Sequence, residues 1–316
     1  MRFDPRRRRL LQAGVFAFTA PQLFALNAAD KPRPFPVGTT AERVTHGIDL
    51  TGKTALVTGC NSGIGQETMR VLALRGAHVL GTARSLAKAR SACDAVTGKA
   101  TPVVLDLSDF DSVAACSKRV AALTPRIDIL VCNAGIVLDQ LEQVNGLEKT
   151  FVVNHLGHYL LVRRLLSQVT AAPQGRVVVL GSGNHRDAPN GGIQFQDLSG
   201  RTWTQRYAHS KLANGLFSFE LAKRLAKTRA TSNCLTPGHT RTNILRHTGD
   251  AYRDDARTVA QGAATPCYVA TSPALAKVSG QYFSDFQVAE QSPLQRDSAM
   301  AARLWKVSGQ LVRDYL

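Results

Sequence analysis

The sequence is poor in aromatic side chains and lacks the residue spacings that mark metal or disulfide sites. Aromatic residues make up 6% of the 316 positions, which is little for a protein that stacks nucleic-acid bases on aromatic rings. The six cysteines form no CxxC pair, and no histidine pairs with Asp or Glu at metal-ligand spacing. No solenoid repeat, zinc-finger spacing or helix-turn-helix pattern is present. We therefore expect no metal, no disulfide framework and no nucleic acid partner.

A long uninterrupted apolar run is also missing. The apolar stretch at residues 10–26 is broken by Gln12, Pro21 and Gln22, so it is a poor transmembrane helix. It follows arginines at positions 6–9 and precedes small residues, which is the order of a twin-arginine export signal. We predict that residues 1–29 are such a signal or an inner-membrane anchor, giving a periplasmic or anchored protein; a cytoplasmic location is the alternative. The proline-rich residues 30–48 are predicted to be a linker.

Positive charge is abundant, with a formal net charge of +16. Five arginines against one aspartate fall within residues 1–29, and the remaining excess is scattered rather than arranged on one helix face. A basic surface attracts phosphates and acidic membranes over long range. Anionic ligands are therefore favoured, membrane-surface association is possible, and a nucleic acid remains a weak alternative.

From Thr54 onward, short apolar runs alternate with longer helical patterns. The runs are β-branched-rich and continuously apolar, as expected of strands that are buried on both faces; they read TALVT, AHVLGT, TPVVLD, IDILVCN, RVVVLGS, ATSNCL and GQYFSD. Strand, helix and strand at this spacing indicate right-handed βαβ units. The sequence predicts one Rossmann-type, doubly wound α/β domain over residues 49–316, with a seven-stranded, mostly parallel sheet flanked by helices.

The stretch TALVTGCNSGIGQE reads as strand, glycine-rich turn and helix. Gly59, Gly63 and Gly65 would allow a tight turn and a close approach to a pyrophosphate, which then faces the amides at the helix N-terminus. An ordinary glycine-rich turn is the alternative. Because the motif follows the first strand of a βαβ unit, it favours dinucleotide binding.

The end of the second strand has no acidic residue that could accept a ribose 2′-hydroxyl. Arg84 stands there, with Lys88 one helical turn later. An arginine at this point suits a 2′-phosphate, so NADP(H) is favoured over NAD(H) unless Arg84 is simply solvated.

Tyr207 and Lys211 are four residues apart in a helical pattern and so share a helix face. At about 4 Å and an effective dielectric near 20, an ammonium would stabilise a phenolate by roughly 4 kcal/mol, or about three pK units. The pair therefore predicts a tyrosine whose pKa is lowered enough for proton transfer. Taken alone, most such pairs are solvated helix faces.

In their order along the chain, these motifs resemble the short-chain dehydrogenase/reductase family, over nearly all of residues 39–315. The matching features are the Thr58-Gly59-x-x-x-Gly63-x-Gly65 turn, NAG at 133–135, Asn154, Ser182, Tyr207-x-x-x-Lys211 and PG at 237–238. VNHLGHYLL, YAHSKLANGLFSFELAKRL and SPALAKVSGQYFSD are similar to the retinol dehydrogenase-like subgroup.

The resemblance implies a role for each matching residue. Tyr207 would be the general acid/base, Ser182 would polarise a substrate carbonyl, and Asn154 would hold a water in a proton relay towards Lys211. Lys211 would also hold ribose hydroxyls, and Thr242 would reach the nicotinamide side. The cofactor-binding residues would be Thr58, Gly59, Asn61, Ser62, Gly63, Ile64, Gly65, Arg84, Asp106, Leu107, Asn133, Ala134, Gly135, Tyr207, Lys211, Pro237, Gly238 and Thr242. A homo-oligomer is implied as well.

The sequence departs from the family pattern at Cys132, Gly181 and Thr240, and Gly181 would loosen the strand end beside Ser182. His155 and His158 are interpreted as core or interface histidines rather than ligands. Two long loops, at 183–206 and 237–257, are predicted to wall a substrate site. Their mixture of apolar and basic residues suits a lipophilic alcohol or ketone.

The predicted function is an NADP(H)-dependent oxidoreductase that transfers a hydride between nicotinamide and an alcohol or carbonyl substrate. The alternative is a cofactor-binding redox sensor or scaffold without turnover. Epimerase or lyase chemistry on a related fold fits less well, because it needs a larger C-terminal substrate domain.

Overall fold

A parallel sheet with helices on both faces organises the chain, as seen in a computed structural model that describes residues 33–189, 191–199 and 202–316. The predicted export signal or anchor at 1–29 lies outside these residues. No helix within the described ranges is long and apolar enough to cross a membrane.

The strands follow the apolar runs closely. In the described part of the chain, a sheet of eight strands has the order β10-β9-β8-β7-β4-β1-β2-β3, and β5 and β6 form a separate hairpin. All neighbours in the large sheet are parallel except β9 and β10. The strands are β1 (Thr54–Val57), β2 (His78–Ala83), β3 (Ala100–Val104), β4 (Ile129–Cys132), β5 (Gln143–Val144), β6 (Leu147–Glu148), β7 (Arg176–Leu180), β8 (Thr231–Leu235), β9 (Tyr282–Ser284) and β10 (Gln287–Val288).

The doubly wound α/β fold is confirmed, but the prediction of seven strands was one short. All seven predicted strands are present, and β10 is added antiparallel to β9. A turn at Asp285 and Phe286, with φ values of 49° and 66°, joins the two strands. No sequence pattern indicates β10, because two residues are too few to show a periodicity and the turn contains no glycine.

Helices surround the sheet on both sides. They are α1 (Ala41–Val44), α2 (Gly63–Leu74), α3 (Leu86–Asp94), α4 (Phe110–Leu123), α5 (Lys149–Phe151), α6 (Gly157–Ala171), α7 (Trp203–Arg224), α8 (Val259–Gly262), α9 (Ala264–Thr271) and α10 (Ser298–Leu311). A π-helical segment, Val152–Leu156, joins α5 to α6. Four short 3-10 helices are found in the described ranges, at Gly183–Asp187, Pro273–Leu275, Leu294–Arg296 and Arg313–Tyr315.

The alternation of side chains along each strand divides the core into two layers. Leu56 of β1 and Leu130 of β4 point into a layer with α4, α6, α7 and α10. Val57 and Val131, one position along, point into the opposite layer with α2 and α9. This two-sided burial explains why the strands read as continuous apolar runs.

Part of the predicted linker is packed on the domain. α1 lies against α9, and its Ala41 and Val44 are buried in the second core layer. Phe35 makes edge-on ring contacts with Tyr268 and Phe286. Residues 35–48 therefore contribute to the folded domain rather than only leading into it.

The C-terminal helix α10 covers one face of α6 and α7. The Trp305 ring stacks on Phe217 with centroids 5.8 Å apart, and the Trp305 carbonyl accepts a hydrogen bond of 3.0 Å from the Tyr159 hydroxyl. This face of the two helices is thus buried within the chain.

Three histidines are buried in this layer without charge. Burial lowers the pKa of His155 to about 3 and the pKa values of His158 and His209 to about 4, from 6.5. The unfolded chain binds protons at these three rings as the pH falls below about 6.5, whereas the folded chain does not. Stability contributed by the neutral rings is therefore present above pH 6.5 and lost as the pH falls towards 4.

We expect the free energy of unfolding to fall by about 4 kcal/mol between pH 7.5 and pH 5.5, about 1.4 kcal/mol for each ring. Urea unfolding across this range measures the effect. His155→Asn should reduce the pH dependence by about a third, and the exposed His46→Asn should leave it unchanged. A pH dependence that is the same in the wild type and His155→Asn would contradict the prediction.

Candidate active site

The glycine-rich turn lies between β1 and α2, where the sequence predicts it. Gly59 and Gly63 have φ values of 72° and 59°, in the left-handed region that favours glycine. A Cβ atom on Gly65 would lie 2.2 Å from the Gly59 carbonyl oxygen, so only a glycine allows the helix to approach the turn this closely. The turn and the first amides of α2 form a cradle that fits a pyrophosphate.

Thr58 and Asn133 hold this turn against the end of β4. The Thr58 hydroxyl oxygen accepts hydrogen bonds from the backbone amides of Asn133 (2.9 Å) and Ala134 (3.0 Å). The Asn133 side-chain amide donates to the Thr58 carbonyl at 2.8 Å. Because both strands end at the same edge of the sheet, these bonds fix the two loops relative to one another.

A cleft of about 360 Å³ opens at the carboxyl edge of the sheet. Most of the predicted cofactor-binding residues line it: Gly59, Asn61, Ser62, Gly63, Ile64, Gly65, Arg84, Asp106, Leu107, Asn133, Ala134, Gly135, Tyr207, Lys211, Pro237 and Thr242. Thr58 lies behind the lining, where it is fully buried. Gly238 is covered by the Arg257 guanidinium, whose Cζ would lie 2.6 Å from a Cβ at that position.

One end of the cleft carries positive charge. Arg84 and Lys88 are exposed and line it, directly after β2 and in the first turn of α3. Asp106 lies near them, and its carboxylate accepts bonds from the backbone amide (2.9 Å) and hydroxyl (2.6 Å) of Ser108. The two cations can therefore meet an anionic group of a bound ligand.

The other end holds the predicted catalytic side chains. The Lys211 ammonium lies 5.5 Å from the centre of the Tyr207 ring and donates to the Leu180 carbonyl at 3.0 Å. Ser182 follows β7 and lies close enough to Tyr207 to influence its pKa, while its own hydroxyl donates to the Asn184 side-chain oxygen at 2.9 Å. Lys211 is 3% exposed, so its charge is held almost entirely within the protein.

Burial dominates the electrostatics of this pair. It raises the pKa of Tyr207 to about 12, although the neighbouring Ser182 hydroxyl acts in the opposite direction. Burial also lowers the pKa of Lys211 to about 8. In the protein alone, the phenol is therefore harder to ionise than a free tyrosine, opposite to the lowered pKa expected from the spacing of the pair. Desolvation disfavours both charged forms more strongly than the ring-to-ammonium distance of 5.5 Å compensates.

Asn154 lies in the π-helical segment, fully buried beside the cleft. Its side-chain oxygen accepts from the Ile136 amide at 2.8 Å, and its side-chain amide donates to the Ile136 carbonyl and to the Ser210 hydroxyl, both at 3.0 Å. Both amide protons are thus engaged, one with the loop after β4 and the other with Ser210 of α7. The structure shows this positioning role for the side chain, while the water relay is untested.

Gly181 is tightly packed rather than loose. Its amide donates to the Leu235 carbonyl at 2.7 Å, and a Cβ atom there would lie 2.7 Å from the Cys234 sulfur. The expectation that this glycine loosens the strand end was therefore wrong, because close contact with β8 holds it in place.

The two predicted substrate loops have different positions. The loop at 237–257 contributes Thr242, Asn243, Ile244 and Arg246 to the lining of the cleft. In the loop at 183–206, Ile193 is buried in the first core layer, and the guanidinium carbon of Arg303 in α10 lies 4.1 Å from the centre of the Phe195 ring. Among the described residues, only the loop at 237–257 therefore borders this cleft.

Sequence reasoning missed several lining residues: Thr82, Ala83, Leu105, Ser108, Ile136, Lys149, Val153, Leu180, Asn243, Ile244 and Arg246. Thr82 could have been found, because a polar residue near the end of a buried strand is unusual; its hydroxyl accepts from the Gly59 amide at 3.3 Å. Arg246 gave no signal beyond its positive charge. Within the described ranges, no three His, Cys, Asp or Glu side chains are grouped so that they could hold a metal ion.

Comparison with known proteins gives consistent matches. A model of the short chain dehydrogenase family matches residues 53–253. Retinol dehydrogenase 12 of Bos taurus is 38% identical over 280 residues, which cover 84% of this chain and 88% of that protein. The crystal structure of an uncharacterised protein of Mycobacterium paratuberculosis superposes with a TM-score of 0.71 at 30% identity, over 85% of this chain and 97% of the other.

A further solved structure holds a nicotinamide cofactor. It is a protein of Beutenbergia cavernae assigned as an NAD(P)-dependent gluconate 5-dehydrogenase, with NADP bound at low occupancy. Its TM-score is 0.61 at 27% identity, and the match covers 75% of this chain and 96% of that one.

Proposed function

The chain belongs to the short-chain dehydrogenase/reductase family, within its retinol dehydrogenase-like part, and from this premise we propose that it is an NADP(H)-dependent oxidoreductase of lipophilic alcohols or carbonyl compounds. One observation carries the proposal: Tyr207 and the buried Lys211 line the same cleft as the glycine turn, and Ser182 lies next to Tyr207. A binding scaffold has no need of a desolvated tyrosine–lysine pair beside its ligand.

The residues of the cleft fit a dinucleotide. The left-handed Gly59 and Gly63 and the close approach of α2 to the turn at Gly65 fit a pyrophosphate, and Arg84 and Lys88 can bind a 2′-phosphate. Asp106 and the loop at 133–135 lie between these ends. The bound nicotinamide would supply or accept the hydride.

In the reducing direction, the protein must deliver a proton to the oxygen of the substrate as the hydride reaches its carbon. The Tyr207 hydroxyl gives this proton, and the Ser182 hydroxyl holds the oxygen during the transfer. Lys211 stabilises the phenolate that remains. Its ammonium, pKa about 8, is mostly charged at neutral pH, and a positively charged oxidised nicotinamide would lower the cost of the phenolate further.

Replacement of Tyr207 by phenylalanine should remove turnover but keep cofactor binding. We expect the rate of carbonyl reduction to fall by about 10²- to 10⁴-fold, the usual contribution of a general acid, because the proton donor is lost while the ring remains. A panel of lipophilic aldehydes and ketones with NADPH measures the rate, and nicotinamide fluorescence measures the Kd. Tyr268→Phe, a change in the opposite core layer, is the matched control and should keep the rate.

Turnover that survives in Tyr207→Phe would refute the catalytic role. Tight NADPH binding without turnover on any substrate of the panel would instead favour the alternative function, a redox sensor or scaffold.

Replacement of Arg84 by alanine should weaken NADPH binding by about 10- to 100-fold, because a hydrogen bond between charged groups contributes about 1.5–3 kcal/mol. The Kd for NADH should change little, since NADH has no 2′-phosphate. Arg90→Ala is the matched control, because Arg90 is exposed on the same helix α3 but does not line the cleft. Tighter binding of NADH than of NADPH by the wild type would overturn the proposed preference.

Export of the folded holoprotein accounts for the arginine cluster in front of a short apolar run. A twin-arginine route would let the protein fold around NADP(H) in the cytoplasm and carry it out, and an uncleaved segment would instead anchor it at the inner membrane. Fractionation of bacteria that express the full chain should find it in the periplasm or membrane. Replacing the arginines at 6–9 by glutamine should retain it in the cytoplasm, and a wild-type chain found only in the cytoplasm would refute export.

A further inference from the structure

His158 does not line the cleft, yet it joins the two parts of the candidate site. The ring is 2% exposed and lies 2.9 Å from the Thr58 hydroxyl through Nε2 and 3.1 Å from the Asn154 carbonyl through Nδ1. Thr58 begins the glycine turn, and Asn154 lies in the π-helical segment. The four-residue spacing places Asn154 and His158 on one side of their helix.

The hydrogen bonds of Thr58 determine which nitrogen carries the proton. A hydroxyl has one donor and two acceptor positions, and the amides of Asn133 and Ala134 use both acceptor positions. The hydroxyl proton is then available for Nε2 at 2.9 Å, whereas the Val131 carbonyl is 3.4 Å away and already accepts the Thr58 and Asn133 amides. Nε2 is therefore the acceptor, and Nδ1 carries the proton that it donates to the Asn154 carbonyl.

The network continues from Asn154 to the helix of Tyr207. The Asn154 side-chain amide donates to the Ser210 hydroxyl at 3.0 Å, and this hydroxyl donates to the Tyr207 carbonyl at 2.7 Å. Thr58, Asn154, His158 and Ser210 are all buried. Each of these bonds is protected from water, so breaking one leaves polar groups without partners at a high cost.

We propose that His158 is a positioning residue that holds the glycine turn and the Tyr207 helix in a fixed relation. The proposal rests on the proposed function, since its consequence is that a nicotinamide bound at the turn lies in register with the Tyr207 hydroxyl. A neutral imidazole suits this task, because its two nitrogens accept on one side and donate on the other. Phenylalanine fills a similar volume but makes neither bond.

A double-mutant cycle on the full chain tests the coupling between Thr58 and His158. Thr58→Val and His158→Phe should each raise the Kd for NADPH and lower kcat by about 10-fold. The Kd and kcat of the double variant should be no worse than those of the more impaired single variant, because either change breaks the same chain of bonds. Thr58→Ser, which keeps the hydroxyl, should recover most of the loss seen in Thr58→Val.

His155→Phe is the matched control. His155 lies one turn away on the same helical segment, is equally buried, and bonds Ser308 of α10 instead of the network. Its replacement should lower the unfolding temperature but leave the Kd and kcat unchanged. If His158→Phe behaves in the same way, His158 is a core residue only and the proposal fails.

Nitrogen-15 NMR of the imidazole rings gives a readout that is independent of turnover. At pH 7.5, the signal that disappears in His158→Phe should show a neutral ring with its proton on Nδ1, and Thr58→Val should shift this tautomer equilibrium. A wild-type His158 with its proton on Nε2, or additive effects in the cycle, would overturn the proposal.

The two proposals fail in different ways. A wild-type chain that binds neither NADPH nor NADH would overturn the proposed function and the coupling together. A chain that binds and turns over NADPH while its His158 variants do so equally well would overturn the coupling alone.

Discussion

The desolvation of Lys211 is the constraint on which the candidate site depends. The ammonium is 3% exposed, its hydrogen bond goes to the Leu180 carbonyl, and no carboxylate in the described part of the chain forms an ion pair with it. A buried charge without a counter-ion is costly, and its pKa is lowered to about 8. Such a group is typical of a functional site rather than of a stabilising core. A ligand with hydroxyl groups, or an ionised Tyr207, would relieve this cost.

The parallel sheet makes this burial possible, because the carboxyl ends of its strands converge at one edge. β1 brings Thr58 and the glycine turn to that edge, β4 brings Asn133, and β7 brings the Leu180 carbonyl and Ser182. Helix α7 then crosses behind β7 and β8 and presents Lys211 to the same place. Thr58, Asn133 and Ser182 each lie just beyond the apolar carboxyl-terminal residues of a strand, so the core and the polar groups are separated by position along the strand.

Local patterns explain how much of this could be predicted from the sequence. The strands, the glycine turn and the Tyr207–Lys211 spacing could be predicted, because each depends on a few neighbouring residues. The hairpin strand β10 could not, since it has two residues, and the π-helical segment around Asn154 has no signature in the letters VVNHL. The shift of the Tyr207 pKa was expected in the wrong direction, because it depends on how far the fold removes the phenol from water. The contact between His158 and Thr58 spans 100 positions and is set by tertiary packing alone.

The loop at 237–257 runs from the glycine turn towards Tyr207. Its ends are held together by backbone bonds from Arg257 to His239 (2.8 Å) and from Arg241 to Arg257 (2.9 Å). The Arg257 guanidinium also lies 2.7 Å from the Asp285 carboxylate. Thr242, near the start of the loop, lies over Gly63 of the glycine turn, and its carbonyl accepts the Tyr252 hydroxyl at 2.6 Å.

Tyr252 in turn lies close enough to Tyr207 to influence its pKa, though less than burial does. One loop therefore contacts the glycine turn through Thr242 and places Tyr252 near Tyr207. Because backbone bonds fix the ends of the loop and the Tyr252 hydroxyl is bonded to Thr242, the two residues hold one another in place within the loop.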